Sequence, residues 1–264
     1  MKLSTSLPMN ASSNNKSSGN RVIVIDSIDG AGKTTAVTAM RKFLENQGLQ
    51  SFDVPDFERT HGRLPQENDP AVQSSDLLLI AEPSYSGIGR IIREEIIKNH
   101  DNRSYNERSV TQAFALDREV LYRSLVLPFL EQKEGRWVIQ DRGLISSLAH
   151  QPLQDPQVNT RDIMKLAGNQ LEISCAPDIL FLLTIDPRIA EKRLTGRTDK
   201  KDNHIFEQTD FQQKLAARYR LTEVQKPYRD AKTAIVEIDA SKPPETVAEE
   251  LINHLKPLLK RKIS

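Results

Sequence analysis

The clearest chemistry in the sequence lies in Gly30-Ala31-Gly32-Lys33-Thr34-Thr35. Glycines let a backbone approach a polyphosphate closely, and successive N–H groups then turn toward the anion. Lys33 has the charge and reach for the β- and γ-phosphates, and a hydroxyl at Thr34 is placed to ligate Mg²⁺. The run follows Val22-Ile23-Val24-Ile25-Asp26 and opens a helical pattern. That is the strand–loop–helix order of a P-loop, in which the helix start adds partial positive charge. The full pattern is G-x-x-x-x-G-K-[ST], and Ser27 stands at its first glycine.

Two further polar pairs follow apolar runs: Glu82-Pro83 after Leu77–Ile80, and Asp141-Arg142 after Trp137–Ile139. A guanidinium matches phosphate geometry and stays charged, so Arg142 is the candidate for holding a second phosphate group. Asp141 has two readings: ordering Mg²⁺ through water, or orienting Arg142.

These residues need elements to position them. Apolar runs at 22–26, 77–80, 137–141, 179–186 and 234–239 predict five strands, with a further short candidate at Ser51–Val54. Helical patterns separate them: Val37, Met40, Phe43 and Leu44 up to Gly48, then Ile88–Ile97, then a long one over Glu107–Gln132 whose end Pro128 would bend. Alternation of this kind predicts an α/β fold, a five-stranded parallel sheet with helices on both faces. Ligands in such sheets bind beyond the carboxyl ends of the strands, where all three polar motifs fall.

Length and composition fit one domain at 21–259. The Ser- and Asn-rich residues 1–20 read as a disordered tail, residues 55–75 as an irregular insert, and 260–264 as a short basic tail. With 37 basic and 36 acidic side chains, no electrostatic case exists for a nucleic-acid polymer or a membrane surface as main partner. No apolar run approaches the ~20 residues of a membrane span, no signal peptide is visible, and a cytoplasmic location is the expectation. The single Cys175 excludes an internal disulfide and a multi-cysteine metal site.

Five segments, in order, resemble the thymidylate kinase family of P-loop nucleoside monophosphate kinases: IDSIDGAGKTT, AEPSYSGIGRIIREE, FALDR at 114–118, DRGLISSLAHQ at 141–151, and PDILFLLTIDP with the later DFQQKLAARY. The resemblance implies ATP and Mg²⁺ as cofactors, dTMP as acceptor, dTDP as product and a homodimer. It implies ATP contacts from Asp29, Gly30, Ala31, Gly32, Lys33, Thr34 and Thr35, and a metal site at Thr34 and Asp141. It also implies that Asp29 meets the sugar 3′-hydroxyl, that Phe114 stacks on the thymine, and that Arg118 bonds its O4. Ser147 would lie near the base edge, and Glu82, Arg142 and His150 would complete the substrate side.

The basic segment 193–207, with Arg193, Arg197, Lys200 and Lys201, reads as a mobile lid. This P-loop has no arginine of its own, so Lys33 and Arg142 would share catalysis with Arg193 or Arg197. Four departures from the family pattern stand out: Ser27, Ala81 where an arginine often precedes Glu-Pro, Gly143 and His150 in place of two tyrosines, and the 55–75 segment, which lengthens the connection before Glu82. They leave open a related kinase acting on another nucleoside or nucleotide, and a catalytically silent nucleotide-binding homologue.

Overall fold

A computed structural model describes residues 19–98, 104–195 and 209–259. The order is β1 (Arg21–Ser27), α1 (Lys33–Asn46), β2 (Ser51–Asp53), α2 (Val54–His61), α3 (Pro70–Gln73), β3 (Leu77–Ala81), α4 (Gly87–Ile91), α5 (Glu107–Leu121), α6 (Leu127–Gln132), β4 (Trp137–Asp141) and α7 (Leu144–Gln154). Then come α8 (Thr160–Met164), α9 (Ala167–Ser174), β5 (Ile179–Thr184), α10 (Pro187–Thr195), α11 (Thr209–Tyr219), α12 (Thr222–Asp230), β6 (Ala234–Asp239) and α13 (Pro244–Leu259).

The sheet is parallel throughout in the order β2-β3-β4-β1-β5-β6. It has six strands where five are predicted; the sixth is the short edge strand Ser51–Asp53. Three half-buried residues carry little apolar signal, and pairing with Leu77–Leu79 defines the strand. The central strands are buried on both faces and their side chains alternate between two cores. Leu77, Leu79, Trp137 and Ile139 face one core with Ala36, Met40 and Leu44 of α1. Leu78, Ile80 and Val138 face the other with Leu121, Leu125 and Phe129.

Three local expectations change. The 55–75 insert is partly helical, since it holds α3 and all of α2 but its first residue. Asp53 caps α2 by accepting from the Asp56 N–H at 3.0 Å, and Pro55 sits in the first turn, where proline needs no N–H partner. The long helix at 107–132 widens into a π-helical turn at Tyr122–Val126 just ahead of Pro128, and α4 runs into a similar turn at Ile92–Ile96. Asn20, expected in the disordered tail, is buried and is bonded to the Leu130 carbonyl and the Arg136 N–H. Of the lid, Arg193 lies in the last turn of α10, while Arg197, Lys200 and Lys201 lie outside the described residues. The tail up to residue 18 and residues 260–264 also lie outside them.

Candidate active site

The strand ends of β1, β3 and β4 meet at a cleft of about 270 Å³. Its floor is the P-loop. Gly30 and Gly32 have φ of 78° and 97°, left-handed values that glycine adopts without strain. A Cβ on Gly30 would also collide with the Ala190 carbonyl of α10. Ser27, by contrast, is the last residue of β1 and extended, so the first pattern position demands no glycine here. Its hydroxyl is put to use: Lys33 Nζ lies 3.2 Å from Ser27 Oγ and 3.3 Å from the Ser27 and Ile28 carbonyls. Burial, and next the neighbouring Arg142, lower the Lys33 pKa.

Arg142 has φ 66°, a left-handed conformation that costs a non-glycine residue about 1–2 kcal/mol. Its N–H is tied to the Ile25 carbonyl at 2.9 Å, and its guanidinium bonds Asp29 and lies 3.7 Å from Asp26. Burial opposes its charge, but Asp29 and Asp26 outweigh that and hold its pKa above the ordinary value. Asp29 also lies 3.7 Å from Lys33 Nζ. Asp26, fully buried, accepts from Tyr219 Oη at 2.9 Å and from Ser146 Oγ at 2.7 Å. It therefore links the P-loop strand to α7 and α11.

Thr34 lines the cleft, and so does Asp141, whose buried Oδ1 has no hydrogen-bond partner among the described residues. Burial raises the Asp141 pKa, with Lys33 and Arg142 opposing. An orphaned carboxylate oxygen in the same cleft as a P-loop threonine fits a site for Mg²⁺ or its water. Ala31 packs into the core and Thr35 does not line the cleft, so only their backbones are available to a phosphate.

The far end of the cleft is built on α5 and α7. Phe114, Arg118, Ser147 and Gln151 line it, while His150, which also lines the cleft, lies within the field of Arg142, Asp29 and Lys33. Ser147 and Gln151 are one helical turn apart and share a face. Arg118 is only 1% exposed and grips two carboxylates. It bonds Glu82 through Nε (3.0 Å) and Nη2, and its Nε lies 3.1 Å from Glu172. Asn169 takes another of its N–H groups. Glu172 also accepts from Gln140 (3.2 Å), the Leu144 N–H (2.8 Å) and Tyr228 Oη. Burial raises the Glu82 pKa to about 8, against the pull of Arg118.

The sequence pattern places Glu82 and Arg118 at the site but does not reveal Glu172, Asp26, Gln151 or Arg93. Glu172 is explained by Gly143. A Cβ on Gly143 would stand 2.8 and 3.0 Å from the two Glu172 carboxylate oxygens, so the missing side chain and the buried carboxylate are one feature. No local pattern links positions so far apart in sequence. Arg93 had a signal, because it sits inside GIGRIIREE. It lines the cleft, donates to the Pro83 and Ser84 carbonyls, and stacks 3.8 Å over the Tyr85 ring. Burial lowers its pKa, and Arg142 lies near enough to lower it further. Arg193 does not line the cleft; it donates to the Ala240 carbonyl at 2.9 Å, and Leu194 faces the cleft beside it. Burial pushes the His150 imidazole down to about 4, which keeps it neutral at pH 7.

A parallel sheet with a P-loop at its centre, and a cleft beyond its strand ends lined by Lys33, Arg93 and Arg142, define a P-loop nucleotide kinase. Comparison with known proteins agrees. The thymidylate kinase family profile matches residues 70–251, and the chain belongs to that family. It is 28% identical to the probable thymidylate kinase of Methanosphaera stadtmanae, over 90% of this chain and 98% of that one. It is 26% identical to the thymidylate kinase of Caldicellulosiruptor saccharolyticus, over 92% and 98%. A Prochlorococcus marinus thymidylate kinase is 28% identical over 70% and 74%. No helix among the described residues is long and apolar enough to cross a membrane.

Proposed function

We propose that this protein transfers the γ-phosphoryl group of ATP to dTMP, giving ADP and dTDP. One observation carries the reading: Lys33 and Arg93 both lie within the field of Arg142, and the three line the same cleft as the Phe114 ring, Arg118, Ser147 and Gln151. That is the combination a nucleoside monophosphate needs, cations for its phosphate and a ring with hydrogen-bonding groups for its base.

Phosphoryl transfer asks a protein for positioning and charge neutralisation rather than covalent chemistry. The P-loop N–H groups and Lys33 hold the donor phosphates. Arg142 and Arg93 hold the acceptor phosphate, whose oxygen is ionised near pH 7 and needs no general base. Thr34 and Asp141 would hold Mg²⁺, which when bound neutralises charge on the donor phosphates. Phe114 stacks on the base, Arg118 donates to its O4, and Ser147 and Gln151 face its edge. Asp29 meets the sugar 3′-hydroxyl beside His150, and Glu82 acts through Arg118, which it holds. Arg197, in the lid segment 193–207, is the better candidate for a cation over the transferred group, since Arg193 is bound to Ala240.

The kinase unit spans residues 21–259 and works in the cytoplasm, where its nucleotides are. It forms a homodimer through α4 and α5, which pack together and expose Ile91, Leu116 and Val120. ADP release measured with dTMP, and then with other monophosphates, tests the activity. Turnover of dTMP supports it, and turnover only of another acceptor leaves the kinase class and removes the thymidylate assignment.

A further inference from the structure

The 55–75 segment reaches the cleft through α2. Glu58, on that helix, is 1% exposed. It accepts from Ser86 Oγ at 2.6 Å, from the Ser86 N–H at 3.2 Å and from the Tyr85 N–H at 3.1 Å. Burial raises its pKa, and these three donors pull the other way. The next residue, Arg59, stacks 4.5 Å over the Tyr85 ring, which Arg93 also covers. From α5, Asp117 takes the Ser84 N–H at 2.8 Å and Ser84 Oγ at 2.6 Å. The loop 83–86 is therefore clamped between two buried carboxylates, and Arg93 is bonded to its Pro83 and Ser84 carbonyls.

We propose that α2 is a positioning element for the acceptor half of the cleft. Glu58 fixes the loop 83–86, and through it the Tyr85 ring and the Arg93 guanidinium that line the cleft. This rests on the reading of Arg93 as an acceptor-phosphate contact. The 55–75 segment then holds a cation-bearing wall beside Ala81, where the family pattern often has an arginine of its own.

The test separates acceptor from donor. A glutamine at 58 keeps the shape but turns an NH₂ group toward donors. Glu58→Gln should raise KM for dTMP about tenfold, with kcat and KM for ATP within about threefold of wild type. Arg59→Ala removes the Tyr85 ring contact and a loose 3.9 Å surface ion pair with Asp56, both made by an exposed side chain. It should raise KM for dTMP about two- to fivefold while the protein stays folded. Hydrogen exchange at the Tyr85 and Ser86 amides reads the clamp without turnover. Their protection should fall selectively in Glu58→Gln. An unchanged KM for dTMP in both variants, or undiminished protection of those amides, overturns the proposal. A wild type that does not use dTMP would overturn the acceptor assignment instead, and the exchange experiment would still decide the clamp.

Discussion

Arg118→Met probes the buried charge cluster under the base end of the cleft. Arg118, Glu82 and Glu172 are each less than 5% exposed, so solvent screening does not discount their interaction. Methionine fills much of the arginine volume, so the main loss is charge compensation rather than a cavity. Removing one partner of a buried ion pair costs about 3–5 kcal/mol, because the remaining charge stays buried. In a chain of this size that corresponds to a fall in Tm of roughly 6–20 °C. The loss should depend on pH. Native Glu82 titrates near 8, above its ordinary value of 4.5, so the folded state binds its proton more tightly than the unfolded state does. Stability therefore falls as pH rises through that window. Without Arg118 the ionised carboxylates keep only neutral donors such as Gln140, the Leu144 N–H and Tyr228 Oη, so the variant should lose most above pH 8 and least near pH 5. Thermal melts of both proteins at pH 5 and pH 8.5 measure this. A Tm deficit that is equal at the two pH values, or below about 3 °C at both, would refute the reasoning.

Three further outcomes are expected. Lys33→Ala should lower kcat at least 10²-fold with far-UV circular dichroism unchanged, because the charge serves bound phosphates; activity within a few-fold of wild type would mean that this loop is not the catalytic one. Gly143→Ala should cost about 1–3 kcal/mol in denaturant unfolding, since its Cβ displaces the Glu172 carboxylate from bonds to Arg118, Gln140 and the Leu144 N–H; an unchanged midpoint would show that the carboxylate moves freely. His150→Tyr should sharpen selection for dTMP over its ribose counterpart by about 1–3 kcal/mol in relative kcat/KM, because a bulkier ring crowds a 2′-hydroxyl; no change would remove His150 from the sugar side of the cleft.

Much of the architecture is legible because it is written in local pattern. Apolar runs end in polar residues, and P-loop glycines precede a helix, so β1, β3 and β4 and the residues at their ends can be read directly. The edge strand Ser51–Asp53 and helix α2 are harder. One is too short for periodicity, and in the other Pro55 is a first-turn proline that sequence alone reads as a breaker. At the site, Lys33, Phe114, Arg118, Asp141, Arg142 and Ser147 do line one cleft. Glu172 and Glu58 escape notice because their partners are distant in sequence: Glu172 meets Arg118 and Gly143, and Glu58 meets Tyr85 and Ser86. Buried carboxylates in polar helices carry no signal until tertiary packing removes them from water.

The central claim is that the cleft binds a thymine nucleotide at the cationic end by its phosphate and at the far end by its base. Steady-state kcat/KM for dTMP, dUMP, dCMP, dGMP and AMP, at saturating ATP and Mg²⁺ and with ADP release as the signal, tests it most directly. The expected result is dTMP as the preferred acceptor, with the purine monophosphates at least 10²-fold poorer. A purine monophosphate used as well as dTMP, or no turnover with any acceptor, would contradict it.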